Sequence, residues 1–220
     1  MILVPGILEP PLALWPLALR LRWRGFRPAV YGYRSTRRTL EEHAPLFLSY
    51  VARKTHQFSE PFALVGHSMG GLVIRATLAL HGRPTPGMLP GLRAVVFLGT
   101  PHRGARLAEE LRDVWWFRWL FGDRAAAQLA PGHPFHRQDT VPRVPFGTIA
   151  GGTGGRQGRA RWIEEDNDRV VEVSSTHLAG ESDWMLLQAD HQGMLHRRAT
   201  ADAVATFLRT GKFSDRPGAP

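Results

Sequence analysis

Short apolar runs and helix-spaced apolar positions take turns along this chain. Strand-type runs are ILV at 2–4, PAVYGY at 28–33, FALV at 62–65, RAVVFLGTP at 93–101 and VPFGTIAGG at 144–152. Between them the apolar positions recur at helical spacing. One such stretch runs from about Leu12 to Trp23. Another covers 37–57, with Leu40, Ala44, Phe47, Leu48, Val51 and Thr55 along one face. A third runs from Leu72 to Leu80, and a last helix spans about Ala199 to Leu208. Strands separated by helices predict an α/β fold: a mainly parallel sheet with helices on both faces.

In such a sheet the chemistry gathers where strands end and loops begin. The first, third, fourth and fifth strands run into VPGI, GHSMG, GTPHRG and AGGTGG. Gly66-His67-Ser68-Met69-Gly70 reads G-x-S-x-G between a strand and a helix. This is the setting in which a sharp, strained turn exposes a serine hydroxyl, and Gly66 and Gly70 permit the close approach.

A serine hydroxyl needs a histidine to take its proton and a carboxylate to orient that histidine. From an elbow the partners follow in the order Ser, acid, His. That order sets aside His43, His56, His67 and His102 as the base. In EEDNDRVVEVSST the acid candidate is Asp168, with Asp166, Glu164 and Glu165 as alternatives and a solvated acidic loop as the plain reading. The base candidate is His191 in ADHQGML. His196 lies nearer the helix, His177 follows the acid loop too soon, and Asp190 reads as an exposed loop acid. Two backbone amides must meet the negative oxygen formed on attack. Met69, after the serine, is one, and Ile7, in the loop after the first strand, is the other.

Composition narrows the partners. The 220 residues, 43% of them hydrophobic, suffice for one core, expected as a domain over 1–210 with a tail over 211–220. There is no cysteine, hence no thiol nucleophile and no disulfide framework. The formal charge of +9 comes mainly from arginines spread along the chain, without a nucleic-acid-binding motif. Nucleic acid is therefore not expected as a partner, and weak peripheral attraction to an anionic membrane is the intermediate reading. PPLALWPLALRL is too short and too rich in proline to span a bilayer, and no basic leader precedes it, so a cytoplasmic chain is expected.

Five segments in order, VPGI, LVGHSMGGLVIR, LGTPHRG, NDRVVEVSS and DHQGML, carry a resemblance across residues 4–195. The chain resembles α/β-hydrolases of the serine lipase and esterase group, including bacterial triacylglycerol lipases. The resemblance implies a compact α/β-hydrolase fold lacking the antiparallel strands that precede the first strand in larger relatives. It also implies Ser68 as nucleophile, Asp168 as acid, His191 as base and the Ile7 and Met69 amides as oxyanion hole. No cofactor is expected, and no metal site is required, since the histidines lack the clustered ligand spacing of zinc sites. Two departures stand out: Pro5-Gly6 replaces the usual His-Gly, and Arg169 replaces the glycine that usually follows the acid.

Such folds often insert a helical cap, expected here at about 104–143. There Trp115, Trp116 and Trp119, with His102 just before, are candidate substrate-binding residues, core packing being the alternative for the aromatics. GGTGGRQGR lacks the Gly-Lys-Ser/Thr ending of a phosphate loop and reads as a mobile loop. The expected activity is hydrolysis of a small ester or lipid-like substrate through an acyl-serine. Acyl transfer or thioester cleavage is the alternative within enzymes, and a non-catalytic binding protein the alternative outside them.

Overall fold

The structure, a computed structural model, describes residues 1–58, 61–80, 89–110, 123–137 and 140–214. Six parallel strands form one sheet: β1 (Ile2–Val4), β2 (Ala29–Val30), β3 (Phe62–His67), β4 (Leu92–Leu98), β5 (Phe146–Gly151) and β6 (Asp183–Leu187). They are ordered β2-β1-β3-β4-β5-β6, so the chain reverses its direction of travel across the sheet after β2. The register sets Val4 beside Gly66, His67 beside Leu98, and Gly151 beside Leu187. The loops carrying the candidate residues therefore leave from one edge, around the point where the strand order reverses.

Among the described residues lie helices α1 (Trp15–Trp23), α2 (Leu40–Phe58), α3 (Met69–Ala79), α4 (Arg106–Glu110), α5 (Asp123–Leu129), α6 (Gly193–His196) and α7 (Arg198–Thr210), with short 3-10 turns at Pro11–Leu14, Pro134–Arg137 and Val173–Thr176. Two cores lie on opposite faces of the sheet. Phe47 and Val51 of α2 and Leu72 of α3 pack against Val4, Leu64 and Phe97 on one face. Leu17 and Leu21 of α1 and Val204 and Phe207 of α7 pack against Leu3, Val65 and Val96 on the other. Strands buried on both sides have no polar face, which is why FALV and AVVFL are unbroken apolar runs.

Local chemistry sets the helix ends. Thr39 Oγ1 accepts the Glu42 amide at 3.2 Å while Glu42 Oε2 accepts the Thr39 amide at 2.9 Å, a reciprocal cap that starts α2. Gly211, at φ 78°, ends α7 in the left-handed conformation that glycine adopts without penalty. Two expectations change. The second strand shrinks to two residues and DWMLL is a sixth strand, while DRVVEV is a loop closed by one bridge between Asn167 and Glu172.

Candidate active site

β3 delivers the elbow and α3 leaves it. Ser68 adopts φ 52°, ψ −127°, a conformation that side-chain-bearing residues rarely occupy and that costs on the order of 1–3 kcal/mol. Its surroundings permit nothing larger. A Cβ on Gly66 would lie 2.6 Å from the Gly71 backbone, and one on Gly70 would lie 2.2 Å from the Val4 carbonyl oxygen. The turn is thus pressed against the loop after β1, where a Cβ on Gly6 would stand 3.0 Å from Ser68 Cβ.

His191 follows β6, and Asp168 lies in the loop between β5 and β6. The two meet inside the protein, His191 Nδ1 being 2.6 Å from Asp168 Oδ2. The other carboxylate oxygen, Oδ1, accepts the Val170 and Val171 amides at 3.0 and 2.8 Å, and the His191 amide donates to the Asp168 carbonyl at 2.9 Å. Acid and base are therefore fixed to one another by backbone as well as side chain. Burial pulls the His191 pKa down. The charge of Asp168 and its hydrogen bond, with the charges of Glu9 and Asp190, outweigh burial and raise it above the usual histidine value.

The alternative acid Asp166 is engaged elsewhere. Its carboxylate accepts the Thr153 amide and hydroxyl at 2.9 Å each and the Gly154 amide at 2.8 Å. It thereby organises the loop that leaves β5. Arg169 is exposed and sits at φ 90°, which accounts for glycine being usual at that position in the proteins the chain resembles. Asp190, read from sequence as an exposed loop acid, is half-buried and accepts the Gly193 amide at 2.6 Å at the start of α6.

Sequence reasoning set His67 aside and did not single out Glu9, yet both belong to the site. Glu9 Oε2 lies 2.9 Å from His67 Nδ1 and accepts the Gly6 amide at 2.6 Å, while His67 Nε2 lies 3.0 Å from the His191 carbonyl oxygen. Burial raises the Glu9 pKa, but the charge and hydrogen bond of His67, the Gly6 amide and the charge of His191 outweigh it, leaving the carboxyl below its ordinary value. One sequence signal was available: Glu9 is the sole carboxylate in the first 40 residues. It sits between Leu8 and Pro10, where a solvated acid has no evident reason to be.

Ser68, His191, His67 and Glu9 all border one cavity of about 400 Å³, whose remaining wall is largely apolar and includes Ile7, Leu107, Leu129 and Val170. The Gly6 amide is taken by Glu9 and the Leu8 amide by Ser35 Oγ at 2.9 Å. Among the described residues the intervening Ile7 amide and the Met69 amide have no protein acceptor. A larger cavity of about 570 Å³ lies at the opposite, amino ends of the strands, beside Ile2 and Phe62, away from the serine.

His102 lies elsewhere, which corrects its candidate place in the substrate site. It is 1% exposed, packs edge-on against Phe97 at 4.6 Å, and borders a separate cavity with Arg75 and His136. Burial and the charge of Arg75 hold its pKa well below the usual value, so it stays neutral. Trp115, Trp116 and Trp119 fall outside the described residues.

The architecture and the elbow can now be set beside known proteins. The mature lipase BlEst2 of Bacillus licheniformis superposes with a TM-score of 0.74 at 19% identity, over 96% of this chain and 91% of the lipase. Phospholipase PlaB of Legionella pneumophila gives 0.75 at 16% identity over 96% of this chain, which spans only 59% of PlaB. The chain has the α/β-hydrolase fold. Residues 37–136 of the chain match the family described as "Putative serine esterase (DUF676)". The metagenomic carboxyl esterase MGS0156 shares the fold too, with a TM-score of 0.67 at 16% identity over 86% of this chain and 63% of the esterase. No curated protein matches the sequence.

Proposed function

We propose that this α/β-hydrolase cleaves carboxylic esters through an acyl-enzyme on Ser68, with His191 as general base and Asp168 as its orienting acid. The observation that carries the reading is the 2.6 Å Asp168–His191 pair, whose histidine lines the same cavity as a serine strained at φ 52°. With Nδ1 committed to Asp168, Nε2 is the nitrogen left to accept the Ser68 proton.

The serine oxygen attacks the ester carbonyl as His191 takes its proton. The carbonyl electron pair moves onto oxygen, and the Ile7 and Met69 amides, lacking protein acceptors, stabilise that charge. Each such donor is worth about 3 kcal/mol in the transition state. Collapse expels the alcohol, which takes its proton from His191, and leaves the acyl group on Ser68. Water, deprotonated by His191, then attacks the acyl carbonyl and repeats the sequence to release the acid. Pro5, in place of the usual histidine, does not interfere, because the amide used belongs to Ile7.

Ile7, Leu107, Leu129 and Val170 offer an apolar wall to an acyl chain or another apolar group. The fold shared with a lipase and a phospholipase agrees with a lipid-like ester. Hydrolysis of p-nitrophenyl esters of increasing chain length, run on the wild type and on Ser68→Ala, tests the reading. Turnover by the wild type alone is expected, and equal turnover by both proteins would refute it.

A further inference from the structure

Helix α1 and the 3-10 turn Pro11–Leu14 that leads into it are together apolar on two opposite sides. Leu14, Leu17 and Leu21 are buried against the sheet and α7. On the other side, at spacings of three, four and four, Leu12, Trp15, Leu19 and Trp23 are 65, 63, 48 and 74% exposed. A helical face normally turns such side chains inward, and a stripe including two tryptophans is a large apolar surface to leave in water.

Charge surrounds the stripe. From Pro10 to Leu40 the chain has seven arginines and no aspartate or glutamate. Arg20 and Arg22 flank the stripe on the helix itself, and Arg198, with its side chain 86% exposed, shares a surface hollow with Trp23. The acid nearby, Asp202, is already held by Arg24 and by Arg198 at 3.7 Å. The stripe also begins at the active site. Leu8, 43% exposed, and Ala13 both border the Ser68 cavity, and Leu12 lies between them in the chain.

We infer that the Leu12–Trp15–Leu19–Trp23 face docks this protein on the surface of an anionic lipid bilayer. Indole and leucine side chains enter the boundary between headgroups and acyl chains, and the arginines meet lipid phosphates. A protein partner or a second copy would cover the apolar stripe, but an arginine-rich border would oppose its own like. An anionic surface satisfies both features at once. The association is peripheral, since among the described residues no helix is long and apolar enough to cross a membrane. It adds to the proposed esterase activity a way for a lipid-borne ester to meet the cavity rim, yet the docking is independent of the reaction.

The test is co-sedimentation of Ser68→Ala protein, which spares the lipid, with vesicles of phosphatidylcholine alone or mixed with phosphatidylglycerol. The protein is expected to sediment with the anionic vesicles, weakly with neutral ones, and less as salt rises. Trp15→Ser combined with Trp23→Ser should lower the partition at least about tenfold, while the same pair in the protein that keeps Ser68 retains its melting temperature and short-ester turnover. Arg22→Glu with Arg198→Glu tests the same face without touching the apolar side chains and should also lower binding, each charge near the surface being worth roughly fivefold. Equal binding to both vesicle types, no binding to either, or undiminished binding by both variant pairs overturns the inference. So does a wild-type dimer that the tryptophan substitutions dissociate. Turnover of soluble esters is read separately, so failure of the esterase reading leaves the docking result standing.

Discussion

Glu9 and His67 meet at 2.9 Å through side chains that are 2% and 1% exposed, and through this contact the loop after β1 is tied to the loop carrying His191. Glu9 Oε2 holds the Gly6 amide next to Ile7, and the far nitrogen of His67 meets the His191 carbonyl. Both ring nitrogens of His67 face oxygens, so the one imidazole bridges the two loops. The proposed oxyanion hole and general base are thus positioned from one buried pair.

Glu9→Gln should therefore lower kcat by about 10- to 100-fold with little change in KM for a short ester, since geometry is lost at the reacting centre rather than in the acyl pocket. A purely structural role predicts nothing further. A positioning role that includes its charge does: Glu9 helps raise the His191 pKa, so its loss should move the acid limb of kcat/KM to lower pH. An unmoved limb in a folded, slower variant would reduce Glu9 to a structural support.

His191 sets the pH dependence of the wild type. Its pKa lies above the usual 6.5, and the proposed mechanism needs it neutral, so kcat/KM should rise with pH through a midpoint above that value. The stability contribution has the opposite course. A raised folded-state pKa stabilises the protein fully below the unfolded value, and that contribution fades as pH climbs through the folded one. Asp168→Asn should lower the midpoint and cut kcat by roughly 10⁴-fold, as for a triad whose histidine tautomer goes wrong. Asp166→Asn should leave kcat nearly intact and cost about 1–3 kcal/mol in unfolding free energy, because it breaks the loop held at Thr153 and Gly154. Reversal of the two kinetic phenotypes would reassign the acid.

Ser68→Ala and Ser68→Gly separate chemistry from strain. Neither should be labelled by a fluorophosphonate. Glycine adopts φ 52°, ψ −127° freely, so Ser68→Gly should also melt higher than Ser68→Ala, by an amount on the order of 1 kcal/mol. Labelling of either variant would place the nucleophile elsewhere.

What the sequence disclosed follows physical rules of differing reach. Buried parallel strands leave unbroken apolar runs, so β1, β3, β4 and β5 were legible, as were α2 and α7 from their amphipathic faces. β6 was not: four of its five residues are half-buried at the sheet edge, and WMLL alternates with neither period. Ser68 and its glycines announce themselves because the turn admits few residue types. Asp168 and His191 were placed by chain order, whereas Glu9 and His67 meet across 58 positions and nothing in local spacing joins them. His102 was misplaced because GTPHRG gives no sign of which way its imidazole turns. It turns inward, beneath Arg75, rather than towards the serine.

Arg169 offers the last test, one of backbone rather than chemistry. Its φ of 90° lies where glycine is at ease and a side chain is not, yet it immediately follows the acid. The turn is held regardless, by Asn167 Oδ1 accepting the Arg169 amide at 3.0 Å and Asp168 Oδ1 accepting the next two amides. Because the guanidinium points to solvent, Arg169→Gly should remove strain without removing a catalytic contact. It should stabilise the fold by up to about 1 kcal/mol, the strain relieved exceeding the added freedom of the unfolded chain. The kcat should stay within about twofold, since surface substitutions away from the reacting groups have small effects. A fall in kcat together with a shifted acid limb would show instead that the guanidinium acts on Asp168 or His191 through its charge.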